Sequence, residues 1–191
     1  MDDKFIFPQL SPEEGDPFFS HYDKLGPIIT ELNRETDRGA ALFSASILDD
    51  VLKAILAAFL IDSSISNELF NHTKPLGSFS SRQDFCYALG LISKVEYDQC
   101  NLVRKIRNEF AHTSQVAIDF NSGKVSKHCT TLRAGSQVRA ATSDLPKEQI
   151  NRITFIITVS VLHWRWTERI ALAAQNKRNR LFDNDEAQPD K

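Results

Sequence analysis

Apolar positions in this chain recur every three or four residues over most of its length and scarcely anywhere at alternate positions, which is the signature of helices and not of strands. Three segments carry it most strongly. From Arg34 to Ile61, Ala40, Ala41, Phe43, Ala45, Ile47, Leu48, Val51, Leu52, Ile55, Leu56, Phe59 and Leu60 cover a wide face, so this helix is expected to be buried on more than one side. From Ser93 to His112 the apolar set narrows to Val95, Cys100, Val103, Ile106 and Phe110, with Leu102 beside them. Ser93 followed by Glu96 three residues later is a capping box that opens this helix. The third segment starts at Ser143-Asp144-Leu145-Pro146 and runs to about Gln175, with a core face from Ile150 to Leu172.

Shorter pieces fill the rest. Phe18 to Asn33 is periodic but interrupted at Gly26-Pro27, and a short helical piece lies near Ser66 to Phe70. Arg82 to Leu89 reads as a helix capped by Ser78, Ser80 or Ser81 and closed by Gly90. After His112 the pattern breaks; a helix capped at Asn121 or Ser122 is expected to reach about Leu132, and Arg133 to Ser143 reads as a polar loop. The sum is an all-α fold, a helical bundle of about five major helices. Residues 1–16 read as an irregular segment, 17–175 as one helical domain, and 176–191 as a charged, flexible tail.

Composition narrows the function classes. With 23 basic and 25 acidic residues the formal net charge is −2, which argues against broad electrostatic capture of nucleic acid but leaves room for a local basic site. Three cysteines at Cys86, Cys100 and Cys129, with no CxxC pair, suit free thiols in a reducing cytoplasm. The acidic N-terminus lacks a signal-peptide core and the longest apolar run is too short to span a bilayer, so the expected location is cytoplasmic, without membrane contact. His21, His72, His128 and His163 form no metal-ligand spacing, and there is no Gly-rich phosphate loop; no metal and no cofactor are expected. Nor is there a helix-turn-helix pattern, so direct reading of DNA sequence is not expected. Trp164 and Trp166 point to different faces of one helix, one to the core and one to a partner surface, which favours a homodimer.

The densest chemistry lies at the end of the second strong helix, in Arg104, Lys105, Arg107, Asn108 and His112. Arg107 and His112 are roughly 7.5 Å apart along a helix and about 140° around it, so they do not share one narrow face, but they could flank a groove, especially where two copies of the helix meet across a dimer axis. The pair suits RNA cleavage. A neutral histidine takes the proton from a ribose 2′-OH and its charged form protonates the leaving oxygen, while arginine holds the phosphate. The alternative is structural: His112 complements the helix C-terminus and Arg107 pairs with a carboxylate. Asp49 and Asp50, in the middle of the first strong helix, are either both solvated or include one that faces a buried basic partner or the Arg104 cluster.

Over residues 30 to 135 the chain resembles the mannitol operon repressor family. The residues that carry this are Pro75-Leu76-Gly77-Ser78-Phe79-Ser80-Ser81-Arg82, Tyr87-Ala88-Leu89-Gly90-Leu91-Ile92, Glu96-Tyr97 and Ile106-Arg107-Asn108-Glu109-Phe110-Ala111-His112, with Asp37-Arg38-Gly39-Ala40-Ala41 and Leu48-Asp49-Asp50 upstream. The resemblance implies an all-helical transcriptional regulator that acts through a protein partner. Arg107 to His112 alone resembles the R-N-x-x-x-H motif of HEPN domains, which are helical, usually dimeric, and in many cases metal-independent ribonucleases of toxin or defence systems. That resemblance implies Arg107 and His112 as catalytic and Asn108 as supporting, with RNA as substrate. Asp49, Asp50, Arg104 and Lys105 are then candidates for support or phosphate contact. The two implications are compatible on one scaffold.

Overall fold

The computed structural model describes residues 22–114, 117–141 and 145–179. Among them are eight α-helices and no strand. The expected all-α bundle is what the chain forms. A 3-10 turn over Tyr22–Leu25 leads into α1 (Gly26–Arg34), with Pro27 in its first turn. Then follow α2 (Asp37–Phe59), α3 (Ser64–Glu68), α4 (Phe79–Ala88), α5 (Lys94–His112), α6 (Gly123–Thr131), α7 (Gly135–Ala141) and α8 (Lys147–Gln175). Residues 1–16, which read as irregular, and Ser143 and Asp144, expected to open the last helix, lie outside the described residues, as do 180–191 of the expected tail.

The bundle is built on α8 and α2, which pack along each other. Residues 153–162 of α8 are all buried, so this helix is surrounded on every side. That explains how a helix so rich in Ile, Val and Thr forms: burial outweighs the modest helix propensity of β-branched residues. Its buried hydroxyls bond back one turn, Thr158 Oγ1 to Thr154 O at 2.8 Å and Ser160 Oγ to Ile156 O at 2.8 Å. On α2, Ala40, Ala41, Leu48, Leu52, Ile55 and Leu56 are buried, the wide face its sequence implied. Trp166 is fully buried and Trp164 half-buried, with Lys24 stacked over its ring at 5.8 Å.

Four details differ from the reading of the sequence. Residues 135–141 are helical, not a loop, because Ala134 and Val138, one turn apart, are buried in the core where α7 packs on α8. Helix α4 begins at Phe79, three residues before Arg82, with Ser78 as the cap that bonds Ser81 N at 3.1 Å. The short piece placed near Ser66 to Phe70 is α3, which starts two residues earlier under a Ser63 cap. On α5, Val95 is 38% exposed and Glu96 takes the buried position beside it. Glu96 closes the capping box through Ser93 N at 2.8 Å and receives Arg169 from α8 at 2.5 and 2.9 Å and Arg165 at 2.9 Å. A carboxylate with three such partners can be buried where an unpaired one cannot.

Candidate arginine-lined cleft

Two fixed points set the direction of α5. At its start, Glu96 ties it to α8. At its end, Phe110 meets Phe120 (centroids 5.1 Å apart), which meets Phe155 of α8 at 4.9 Å. Between them Cys100, Val103 and Ile106 are fully buried, and Arg104, Arg107 and Asn108 come out on the side facing α2 and α4.

There they line a cleft of about 420 Å³. One wall is α2, with Leu42, Ala45, Ser46 and Asp49; another is the first turn of α4, with Ser78, Phe79 and Ser80. Asp49 is neutralised by Arg82, whose Nη1 donates to Oδ2 at 2.5 Å. The same guanidinium donates through Nε to Leu76 O (2.9 Å) and through Nη2 to Gly77 O (3.4 Å), which fixes the loop before α4. The other carboxylate oxygen of Asp49 is buried and has no hydrogen-bond partner among the described residues.

Arg104 and Arg107 have no carboxylate partner among the described residues. Arg104 Nη1 donates to Gln83 Oε1 and Asn101 Oδ1, both at 3.2 Å, and its guanidinium lies over the Phe79 ring at 5.6 Å. Gln83 is held in turn by its Nε2 donating to Tyr97 O at 2.8 Å. Arg107 Nη1 donates to Asn108 Oδ1 at 3.1 Å. The cleft thus carries two excess positive charges on a rigid frame. Below it, burial pushes the Cys100 thiol far above its usual range, so it is no nucleophile.

The structure therefore brings Asp49, Arg104, Arg107 and Asn108 together. Asp50 and Lys105 are exposed and do not line the cleft. His112, the last residue of α5, is exposed and also lies outside the cleft lining. Of the two roles open to Asp49, solvated or facing a basic partner, it takes the second, with Arg82 as the partner. Arg82, Gln83, Ser46 and Phe79 were not read as site residues from sequence, although Phe79 and Arg82 stand in the block that carries the family resemblance. A signal for the α2 wall was present: Leu42, Ser46 and Asp49 fall at three- and four-residue steps, and on α5 Arg107 and Asn108 lie three and four residues from Arg104. Among the described residues no group of three or more His, Cys, Asp or Glu could hold a metal ion, and no helix is long and apolar enough to cross a membrane.

No family model matches the chain, and no curated protein matches it by sequence. Among solved structures, a chain in the X-ray structure of the MtlR-HPr complex from Escherichia coli is similar at a TM-score of 0.54 and 21% identity, over 80% of this chain and 99% of that one. The fold of this chain is an all-α, MtlR-like helical bundle.

Proposed function

We propose that the protein is a transcriptional regulator of the mannitol operon repressor type that acts by docking a protein partner. The observation that supports this is the fold, shared over most of both chains with one solved in a complex with another protein. The surface suited to docking is apolar. Phe85 on α4, Leu89 one turn on at its C-cap, and Leu172 on α8 are 44%, 39% and 56% exposed. Leu89 and Leu172 border a second cleft of about 470 Å³ floored by Ile55, Phe59 and Leu91. Exposed apolar side chains around a concave centre, with Arg169 and Arg178 at its edge, are what protein interfaces bury. The partner is a small protein of the HPr kind, and a second copy of the chain is its competitor for the same face. Titration calorimetry with purified HPr is expected to give saturable binding that Leu172→Asp weakens by about 100-fold, since a charge would be desolvated there. A folded protein that binds no HPr, or binds it equally well with Leu172→Asp, sinks this docking face.

A second reading, a metal-independent endoribonuclease, is favoured by Arg107: it opens on a cleft without a carboxylate to neutralise it, and His112 stands exposed on the same helix. Cleavage of a mixed RNA pool in EDTA tests it. Removing an acid–base histidine costs about 100-fold or more, so His112→Ala and Arg107→Ala are each expected to abolish cleavage with folding intact. An inert parent protein rules this reading out.

A further inference from the structure

We infer that the cleft between α2, α4 and α5 is a binding site for the phosphoryl group of a small phosphomonoester. The inference is independent of the docking face, which lies around Leu172.

Charge carries the argument. Arg104 and Arg107 are three residues apart on α5 and line the same cleft, a like-charge arrangement that destabilises a helix slightly. Their neighbours three and four residues away on the helix are Cys100, Asn101, Val103, Asn108, Phe110 and Ala111, so no carboxylate of α5 can reach either one. Across the cleft the one acidic wall residue, Asp49, is already spent on Arg82. Two guanidiniums without a counter-ion in one concavity are matched to a dianion, and their planar forks fit phosphate oxygens.

Geometry adds to charge. Gln83, Asn101 and the Phe79 ring hold Arg104 in place with neutral partners, so orientation is fixed while the charge stays available. Asn108 spends its Oδ1 on Arg107, which leaves its NH₂ as a further donor at the cleft wall. The volume, about 420 Å³, is within the range of small-molecule sites. A polynucleotide would present singly charged diesters along a track, whereas here both charges line one cleft. A monoester fits it better.

Isothermal titration with inorganic phosphate, glycerol 2-phosphate and a short oligoribonucleotide, all at one ionic strength set with chloride, tests the site. The two monoanion-to-dianion phosphates are expected to bind saturably at one site per chain. Arg107→Gln and Arg104→Gln should each weaken that binding by about tenfold or more, the loss of one charge-assisted contact, and Lys105→Gln should leave it unchanged. If an arginine variant does not fold, Ser46→Asp decides, because it sets a carboxylate on the exposed α2 wall without touching the α5 frame. No phosphate binding beyond that of chloride, or binding indifferent to these changes, overturns the proposal. Binding of the oligoribonucleotide alone overturns it too, and gives the cleft to RNA.

Discussion

Glu96 sits at the start of α5 with its side chain only 1% exposed, held by Ser93 N, Arg165 and Arg169. Burial pushes its carboxyl pKa up; the Arg169 hydrogen bonds, the Ser93 N–H and the charges of Arg169 and Arg165 push it down and win, so it lies below the ordinary glutamate value. The unfolded chain holds the same group at its ordinary value. Protonation therefore favours unfolding: the contribution is whole above the unfolded pKa and is lost as pH falls through the lower folded one. Glu96→Gln keeps the size and the bond to Ser93 N but removes the buried charge that Arg165 and Arg169, both half-buried, are paired with, at a cost of about 3 kcal/mol. Urea unfolding should show this loss at pH 7. It should also show a shallower decline of stability in the variant than in the parent as pH is lowered past the unfolded glutamate value. Equal acid slopes for the two proteins would mean that Glu96 does not carry this dependence.

The loop before α4 shows what an element needs from its neighbours. Gly77 lies where an added Cβ would fall 2.4 Å from His72 O and 2.5 Å from Asn71 O, both backbone atoms that cannot swing aside. Leu76 N donates to Leu69 O, Leu76 is buried, and Arg82 pins the Leu76 and Gly77 carbonyls from below. Gly77→Ala is expected to cost about 1–3 kcal/mol and, by shifting the first turn of α4, to weaken anything bound beside Phe79; thermal unfolding measures the first effect. The block Pro75 to Arg82, which carried much of the family resemblance, thus fixes the loop through Leu76, Gly77 and Arg82 and supplies a cleft wall through Ser78, Phe79 and Ser80. The helices α2, α5 and α8 were legible because their periodicity is long and their caps local, Ser93 with Glu96 above all. The helix α7 was not, because Val138 is the one large apolar side chain among its seven residues and its stability comes from α8, which follows the break after Ala141. At the cleft, Arg107 and Asn108 could be read from their spacing. The Asp49–Arg82 pair could not, because its members are 33 residues apart and only the packing of α4 on α2 brings them together.

At the scale of the molecule, the three cysteines report on whether the bundle opens as one unit. They lie on three helices, Cys86 on α4, Cys100 on α5 and Cys129 on α6, and all are free and buried. Burial pushes the thiols of Cys86 and Cys129 up to about 12 and that of Cys100 higher still, so none reacts without first being exposed. Exposing Cys129 means lifting α6, which also uncovers Val125 and Leu132 and breaks the bonds from Asn151 of α8 to Phe120 O, Asn121 Oδ1 and Ser126 Oγ. Gln99 of α5 also accepts from Arg133 N just beyond that helix. The second half of the chain is therefore joined to the first by core and by hydrogen bonds on both faces, and its opening should cost as much as opening the whole. With a disulfide reagent in excess under native conditions, each thiol's labelling rate divided by its rate in full denaturant should give one common opening constant. That constant should rise with urea at one slope for all three. A Cys129 that labels well ahead of Cys86 and Cys100 would show instead that α6 opens by itself, and that the cooperative unit ends with α5.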